Sequence, residues 1–209
     1  MPSQSERAYQ RLRELILSAG LLPGEHLGEV DWANRLGVGR FAIRESLKRL
    51  HGEGLVTRSR GKYRVTQLTV EEVREISHLR AVLEIGALRF LRTALPQQAV
   101  KAIKEAAEDY AGLVKKGYFD GAREADLRFH RAIVAAAGND RLVKVYESSN
   151  LPLLHVTVGR KARPLNDFDQ AAEEHLAIAR ALENKDPDLA ARLLEAHLKR
   201  GEGEVTKAT

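Results

Sequence analysis

Two spacings put side chains that bind cations where a folded chain ordinarily buries apolar ones. In "EADLRFHRAI", Asp126 and His130 stand four residues apart. On a helix advancing about 100° per residue, with Asp126 at zero, His130 falls at about 40°, Ile133 at about −20° and Ala137 at about 20°, while Arg128 and Arg131 point nearly the opposite way. Both polar groups therefore share the buried stripe. An unpaired carboxylate there costs several kcal/mol, so Asp126 requires a partner. A carboxylate and an imidazole one helical turn apart are a chelating pair.

The second spacing is symmetric. His175 lies eleven residues before Asp186 of "NKDPD" and His197 eleven after it. In an antiparallel helical hairpin, equal distances from the turn place residues at the same height. Each histidine also fits an inward stripe, with Ile178, Ala179 and Leu182 on one helix and Ala190, Leu193 and Leu194 on the other. Any one of these histidines, taken alone, is an ordinary core or helix-end residue; the combination of three imidazoles and one carboxylate points to a divalent cation. Such a set suits Zn²⁺, Ni²⁺ or Mn²⁺. The chain has no cysteine, which excludes thiolate ligands, disulfides and thiol catalysis. His26, His51, His78 and His155 show no comparable arrangement.

Arg80 is a further inward polar residue, sharing a stripe with Ile76, Leu83, Ala87 and Leu91. Two roles are open to it: an intrahelical ion pair with Glu84 one turn away, or bidentate capture of the carboxylate of a small organic acid beside the metal.

These residues need helices to hold them, and helical periodicity dominates from Thr69 onward. Helices are expected near 70–93, 96–116, 119–137, 140–162, 167–183 and 188–203. "TVEE" opens the first as a capping box, Pro96 fits the first turn of the second, and Gly138-Asn139 ends the third. Pro152 should kink the fourth.

Charge divides the chain at the same place. The formal net charge is +5 over 209 residues. Residues 1–66 carry 12 Lys and Arg against 7 Asp and Glu, whereas residues 67–209 carry 22 of each. Within residues 35–64 nine basic residues face only Glu45 and Glu53, a density that calls for a polyanion partner. The opening "MPSQSERAYQ" is too polar for a signal peptide, and no apolar run approaches the roughly 18 residues of a membrane helix. A soluble cytoplasmic protein without membrane partners is expected.

The basic third reads as two short helices around a glycine turn, a helix-turn-helix. A first helix over residues 5–19 precedes a Pro23-Gly24 turn, "EVDWANRL" follows, and after "GVG" comes "RFAIRESLKRL". In that last helix Ile43, Leu47 and Leu50 form the buried stripe, while Arg40, Arg44 and Lys48 line the adjacent flank. The N-terminal residues of a recognition helix reach base edges, and an arginine fork matches the two acceptors of guanine, so Arg40 and Arg44 are the candidates for base reading. Lys48 and Arg49 lie further along and fit phosphate or solvent. "TRSRGKYRVTQ" alternates apolar and basic residues around a tip of Arg60, Gly61 and Lys62, the pattern of a β-hairpin wing.

"LLPGEHL", "NRLGVGRFAIRESLKRLHGEGLV" and "SRGKYRVT" resemble the winged-helix domain of GntR-type bacterial transcription regulators over about residues 5–67. The resemblance implies DNA contacts from Arg40, Arg44, Arg60, Gly61 and the start of the recognition helix, where Phe41 stands. Two positions depart from the family pattern: Gly39 replaces the usual Ser or Thr, and Phe41 replaces a small polar residue. "HLRAVLEIGAL", "EADLRFHRAIVAAAGNDRL" and "EEHLAIARALENKDPDLAARLLEAHL" resemble the all-helical ligand-binding domain, FCD, of the FadR subfamily of those regulators. That resemblance implies a divalent metal on Asp126, His130, His175 and His197, an effector inside the helical bundle, and a homodimer on a palindromic operator.

The expected fold is thus mainly α: a winged helix-turn-helix over residues 1–67, then an all-helical antiparallel bundle over residues 68–209. The expected function is a double-stranded-DNA-binding transcriptional regulator controlled by a small carboxylate effector near a divalent metal, with no catalytic residues. Two rivals exist. A metal-dependent hydrolase would activate water at the cluster, but no further inward Glu or His is well placed as its general base. A nonspecific DNA binder would respond to no ligand.

Overall fold

The computed structural model describes residues 2–17, 20–149 and 165–208. These fall into two compact units, one within residues 1–69 and one from residue 70 onward.

The amino-terminal unit contains α1 (Gln4–Leu17), α2 (Glu29–Leu36), α3 (Arg40–Gly52), β1 (Val56–Ser59) and β2 (Lys62–Val65). The far end of the expected first helix, at Ala19, lies outside the described residues. The predicted stripe of α3 is the core of this unit: Ile43, Leu47 and Leu50 are fully buried, together with Leu12 and Ile16 of α1. Burying each such aliphatic side chain contributes about 1.5–3 kcal/mol, which holds α3 against α1 by its apolar face. Gly37 closes α2 in the left-handed conformation, φ 61°, and its N–H bonds back to the Ala33 and Asn34 carbonyls. A residue with a side chain is strained there, so the "GVG" turn follows from the sequence.

β1 and β2 pair antiparallel from Val56 with Val65 to Ser59 with Lys62, leaving a two-residue loop at Arg60-Gly61. Both loop residues have positive φ, 49° and 76°, the geometry that matches the twist of a tight hairpin. β2 has a second neighbour that the sequence analysis missed. Leu27 donates to the Tyr63 carbonyl and Val65 to the Glu25 carbonyl, both at 2.9 Å, so "GEHL" lies along the hairpin as a third, minimal strand.

The carboxy-terminal unit contains α4 (Val70–Phe90), α5 (Gln97–Lys115), α6 (Phe119–Ala136), α7 (Asp140–Ser148), α8 (Leu165–Glu183) and α9 (Pro187–Ala208), with no strand among its described residues. α4 stops three residues earlier than expected, tightening into i→i+3 bonds over Leu91, Arg92 and Thr93. Pro96 is the N-cap of α5 rather than a member of its first turn. Gly138, φ 63°, ends α6, while Asn139 opens α7 by accepting from the N–H groups of Arg141 and Leu142. α7 ends at Ser148. The predicted continuation to 162, the Pro152 kink and His155 lie outside the described residues. Asp186 caps α9 through the Leu189 N–H at 2.8 Å, and Pro187 follows at the first helical position, where its missing N–H costs nothing.

Three apolar clusters fill this unit, the smallest around Val134 and Tyr146. Of the larger two, one gathers Leu88, Ile103, Phe129, Ile133, Ile178, Leu182 and Leu194; the other gathers Tyr110, Val114, Ala122, Ala125, Phe168 and Ala171. On α6 and on α8 the polar residues Asp126, His130 and His175 stand between the members of these clusters in sequence. The interior of the bundle therefore holds a polar layer between two apolar ones.

Candidate metal centre and candidate nucleic-acid interface

Asp126 and His130 come from α6, His175 from α8 and His197 from α9. All four are buried, and one donor atom from each lies within 4.8 Å of every other. The Nε2 atom of His197 is 3.3 Å from that of His130 and 3.4 Å from that of His175. Asp126 Oδ1 is 3.4 Å from His175 Nε2 and 3.8 Å from His130 Nε2. The symmetric spacing about Asp186 thus places His175 and His197 side by side, as expected.

Neighbouring carboxylates decide which nitrogens face inward. His130 Nδ1 lies 2.7 Å from Glu84 Oε2, and His197 Nδ1 lies 2.6 Å from Glu174 Oε2. An ionised carboxylate only accepts, so each Nδ1 donates and each Nε2 is the nitrogen turned toward the cluster. Both carboxylates are ionised. Burial raises the Glu84 carboxyl, but the Arg80 guanidinium and the His130 ring outweigh it and hold it at about 2. Burial likewise opposes, and the hydrogen bonds from His197 and Arg200 overcome, a shift that brings Glu174 to about 2. Burial first, and the Arg80 charge second, lower His130 to about 4, so its ring is neutral.

The Nε2 atoms of His130 and His197 face each other across 3.3 Å, an arrangement in which two imidazole lone pairs can converge on one cation. An ion with four ligands at about 2.0–2.1 Å separates its tetrahedral donors by roughly 3.3–3.4 Å, close to three of the four distances above. The residues present fit a divalent cation.

A buried hydrogen-bond network holds the cluster. Arg80 Nε donates to Glu84 Oε1 at 2.7 Å, and the Tyr146 hydroxyl donates to the same oxygen at 2.8 Å. The ion pair that the sequence offered for Arg80 is therefore present, and Glu84 joins α4, α6 and α7. On the other side Arg200 grips Glu174 with Nε and Nη2, each at 2.8 Å, and donates from Nη1 to Asp167. His175 is held by packing: its ring stacks on Phe129 at 4.0 Å and lies 4.7 Å from Tyr110. Its Nδ1 has no hydrogen-bond partner among the described residues.

Sequence reasoning found the four donors but missed Glu174, Arg200, Asp167, Tyr146 and Tyr110. Glu174 sits about 100° from the inward stripe of its own helix and serves a ring on another, so no single-helix pattern selects it. Glu84 entered only as a partner for Arg80. It is a further inward carboxylate beside the cluster, but it faces the far nitrogen of His130 with both oxygens engaged, which leaves it no place as a general base.

The basic unit presents its side chains differently. Arg40, Phe41 and Arg44 begin α3 with their side chains exposed, Phe41 to 72%. Gly39 caps the helix with no side-chain bond, and its N–H donates to Gln4 Oε1 at 3.0 Å. Arg44 forks onto Glu29 of α2, Nη2 to Oε2 at 2.8 Å and Nε to Oε1 at 3.1 Å, which holds the Glu29 carboxyl below its usual value. Lys48 pairs with Glu45 at 2.8 Å. Arg49 bonds Glu6 at 2.9 Å and lies 3.5 Å over the Tyr9 ring, fastening α3 to α1. Arg60, Gly61 and Lys62 are exposed at the hairpin tip, while Arg64 turns back to the Gly24 carbonyl at 2.9 Å.

A family model described as the FCD domain matches residues 75–200, and one described as bacterial regulatory proteins of the gntR family matches residues 4–62. The chain belongs to the GntR family of bacterial regulators and carries an FCD domain. It is 30% identical over 186 residues to the "Probable D-xylose utilization operon transcriptional repressor" of Paenarthrobacter nicotinovorans, covering 87% of this chain and 80% of that one. It is 26% identical over 200 residues to the HTH-type transcriptional regulator YdhC of Bacillus subtilis, covering 90% and 85%. The crystal structure of a GntR transcriptional regulator from Rhodococcus sp. RHA1 shares the fold with a TM-score of 0.82 at 23% identity over the whole of both chains. The relatives are named as transcriptional regulators and not as enzymes, so the protein is a DNA-binding regulator and the hydrolase alternative falls away. No described helix is long and apolar enough to cross a membrane.

Proposed function

We propose that the protein is an effector-responsive transcriptional regulator of the FadR subfamily, in which residues 1–67 read a palindromic operator and residues 68–209 sense a small organic acid beside a divalent metal. A DNA partner places it in the cytoplasm. Base contacts come from Arg40, Phe41 and Arg44, and backbone contacts from Lys48, Arg49 and the wing residues Arg60, Gly61 and Lys62. Asp126, His130, His175 and His197 hold Zn²⁺, Ni²⁺ or Mn²⁺, and Arg80 stands toward the effector carboxylate. When bound, the metal supplies a Lewis-acidic point of attachment for that carboxylate.

The chain's own residues do the rest. Glu84 and Glu174 keep the proton on the outer nitrogens of His130 and His197, Phe129 keeps His175 in plane, and the two larger apolar clusters exclude water from the layer. A homodimer is supported by Leu79, Val82 and Phe90, which are 40%, 71% and 61% exposed and fall along one stripe of α4 at helical spacing. The effector acts by binding two arrangements of the dimer unequally.

The observation that carries this reading is the meeting of three imidazole Nε2 atoms and one buried carboxylate inside an FCD domain. Elemental analysis of protein purified without a metal-affinity tag is expected to give about one divalent ion per chain, lost in His175→Ala. A thermal-shift screen of organic acids on the loaded protein, followed by operator binding with each hit, tests the effector. Absence of any ion after reconstitution removes the metal, and DNA affinity that no acid alters removes the sensing.

A further inference from the structure

We infer that Phe41, standing exposed within the cationic face of α3, is a specificity-determining residue that reads the C5-methyl group of a thymine in the major groove; this rests on α3 being the recognition helix. Among the described residues no large apolar side chain is more exposed. A lone exposed apolar residue is ordinary on a protein surface, but the surroundings of this one are not. With Arg40 at zero, Arg44 lies at about 40°, Lys48 at about 80° and Phe41 at about 100° around the helix. The ring therefore belongs to the same face as the three cations, turned away from Ile43 and Leu47. It is the second residue of the helix, and the first turn of a recognition helix is what reaches base edges.

The chemistry of the groove narrows the choice. A phenyl ring has no hydrogen-bonding atom, so it gains nothing from the donors and acceptors of guanine, adenine or cytosine edges. The one apolar feature on the major-groove edge is the thymine methyl. Phe41 and Arg44 are three residues apart, about 4.5 Å along the helix axis, and successive base pairs rise about 3.4 Å. The thymine should therefore lie within about two base pairs of the base that Arg44 reads. Arg44 is held in an exposed fork on Glu29 that a guanine edge can displace, and the arginine and the ring together then make a two-point reader of one guanine and one methyl.

The test uses the full chain and a duplex recovered from a random-sequence library by repeated rounds of binding. Each thymine of the recovered operator is replaced in turn by deoxyuridine, which removes only the methyl. The wild-type protein is expected to lose about fourfold in affinity at one thymine per half-site, the value of one buried methyl-sized group. Phe41→Ala should lose a similar factor on the thymine operator and be indifferent to the deoxyuridine at that position, while Phe41→Leu keeps most of the discrimination. Circular dichroism and the unfolding midpoint of Phe41→Ala should match wild type, because the ring is exposed. An operator bound sharply, yet tolerant of deoxyuridine everywhere, overturns this inference alone. So does a Phe41→Ala loss that is independent of the methyl, as insertion between base steps or a protein contact would produce. Failure of the library to yield any preferred sequence overturns the DNA-reading assignment and this inference with it.

Discussion

In the amino-terminal unit Arg44 meets Glu29 at 2.8 Å with half of the arginine side chain exposed, whereas Arg80 meets Glu84 at 2.7 Å with the arginine one-tenth exposed and the glutamate not at all. The same two residue types serve opposite ends. Water around Arg44 screens the pair, so a guanine edge can compete for the guanidinium at little cost. Glu84 is fully buried, so bulk solvent does not reach it to take the place of Arg80, His130 or Tyr146, and removing a charged member leaves buried charge. The same contrast separates the two units: the basic one presents its charged groups at the surface, where a ligand can take them over, and the neutral one also buries a layer of charged and imidazole groups able to hold a cation.

The contrast can be broken most directly at Glu84. Glu84→Ala leaves Arg80 and His130 without their acceptor, and should cost about 3–5 kcal/mol of unfolding free energy by denaturant titration of the metal-free protein. A loss below about 1 kcal/mol, the level of an exposed pair, would mean that the layer is as open as the surface. The exposed partner is tested by DNA. Arg44→Ala is expected to weaken binding to a selected operator by roughly five- to 150-fold, with nonspecific affinity nearly unchanged. A uniform loss across sequences, with a shallower salt dependence, assigns Arg44 to phosphate instead.

The smallest effect concerns pH and lies in the basic unit. Burial, and then the hydrogen bond to Glu53, push the Tyr9 hydroxyl up to about 12 from 10. Its pKa is raised on folding, so the stability it contributes is complete below pH 10 and is lost as pH rises through about 12. Tyr9→Phe should therefore flatten part of the alkaline decline in the unfolding midpoint of the full chain; equal slopes for the two proteins above pH 10 would show that Tyr9 ionises as freely folded as unfolded.

The four donors were legible because each obeys a rule internal to one helix or one hairpin. The spacing of Asp126 and His130 sets them on one face, and the equal offsets of His175 and His197 from Asp186 set them at one height, whatever the rest of the bundle does. The wing was legible for the same reason, since Arg60-Gly61 between alternating residues admits few other turns. Periodicity overran the end of α4, because the pattern says which face is apolar and not where the backbone tightens.

The amino-acid sequence by itself therefore determined the two-part architecture, the exposed basic face of α3 and the four residues of the buried cluster, all consequences of local geometry and charge. Only the tertiary structure decided that Glu84 holds His130, that Glu174 and Arg200 hold His197, and that residues 25–27 pair with β2. Those contacts join residues distant in sequence, and they depend on how each helix is rotated about its axis and on backbone groups that every residue shares.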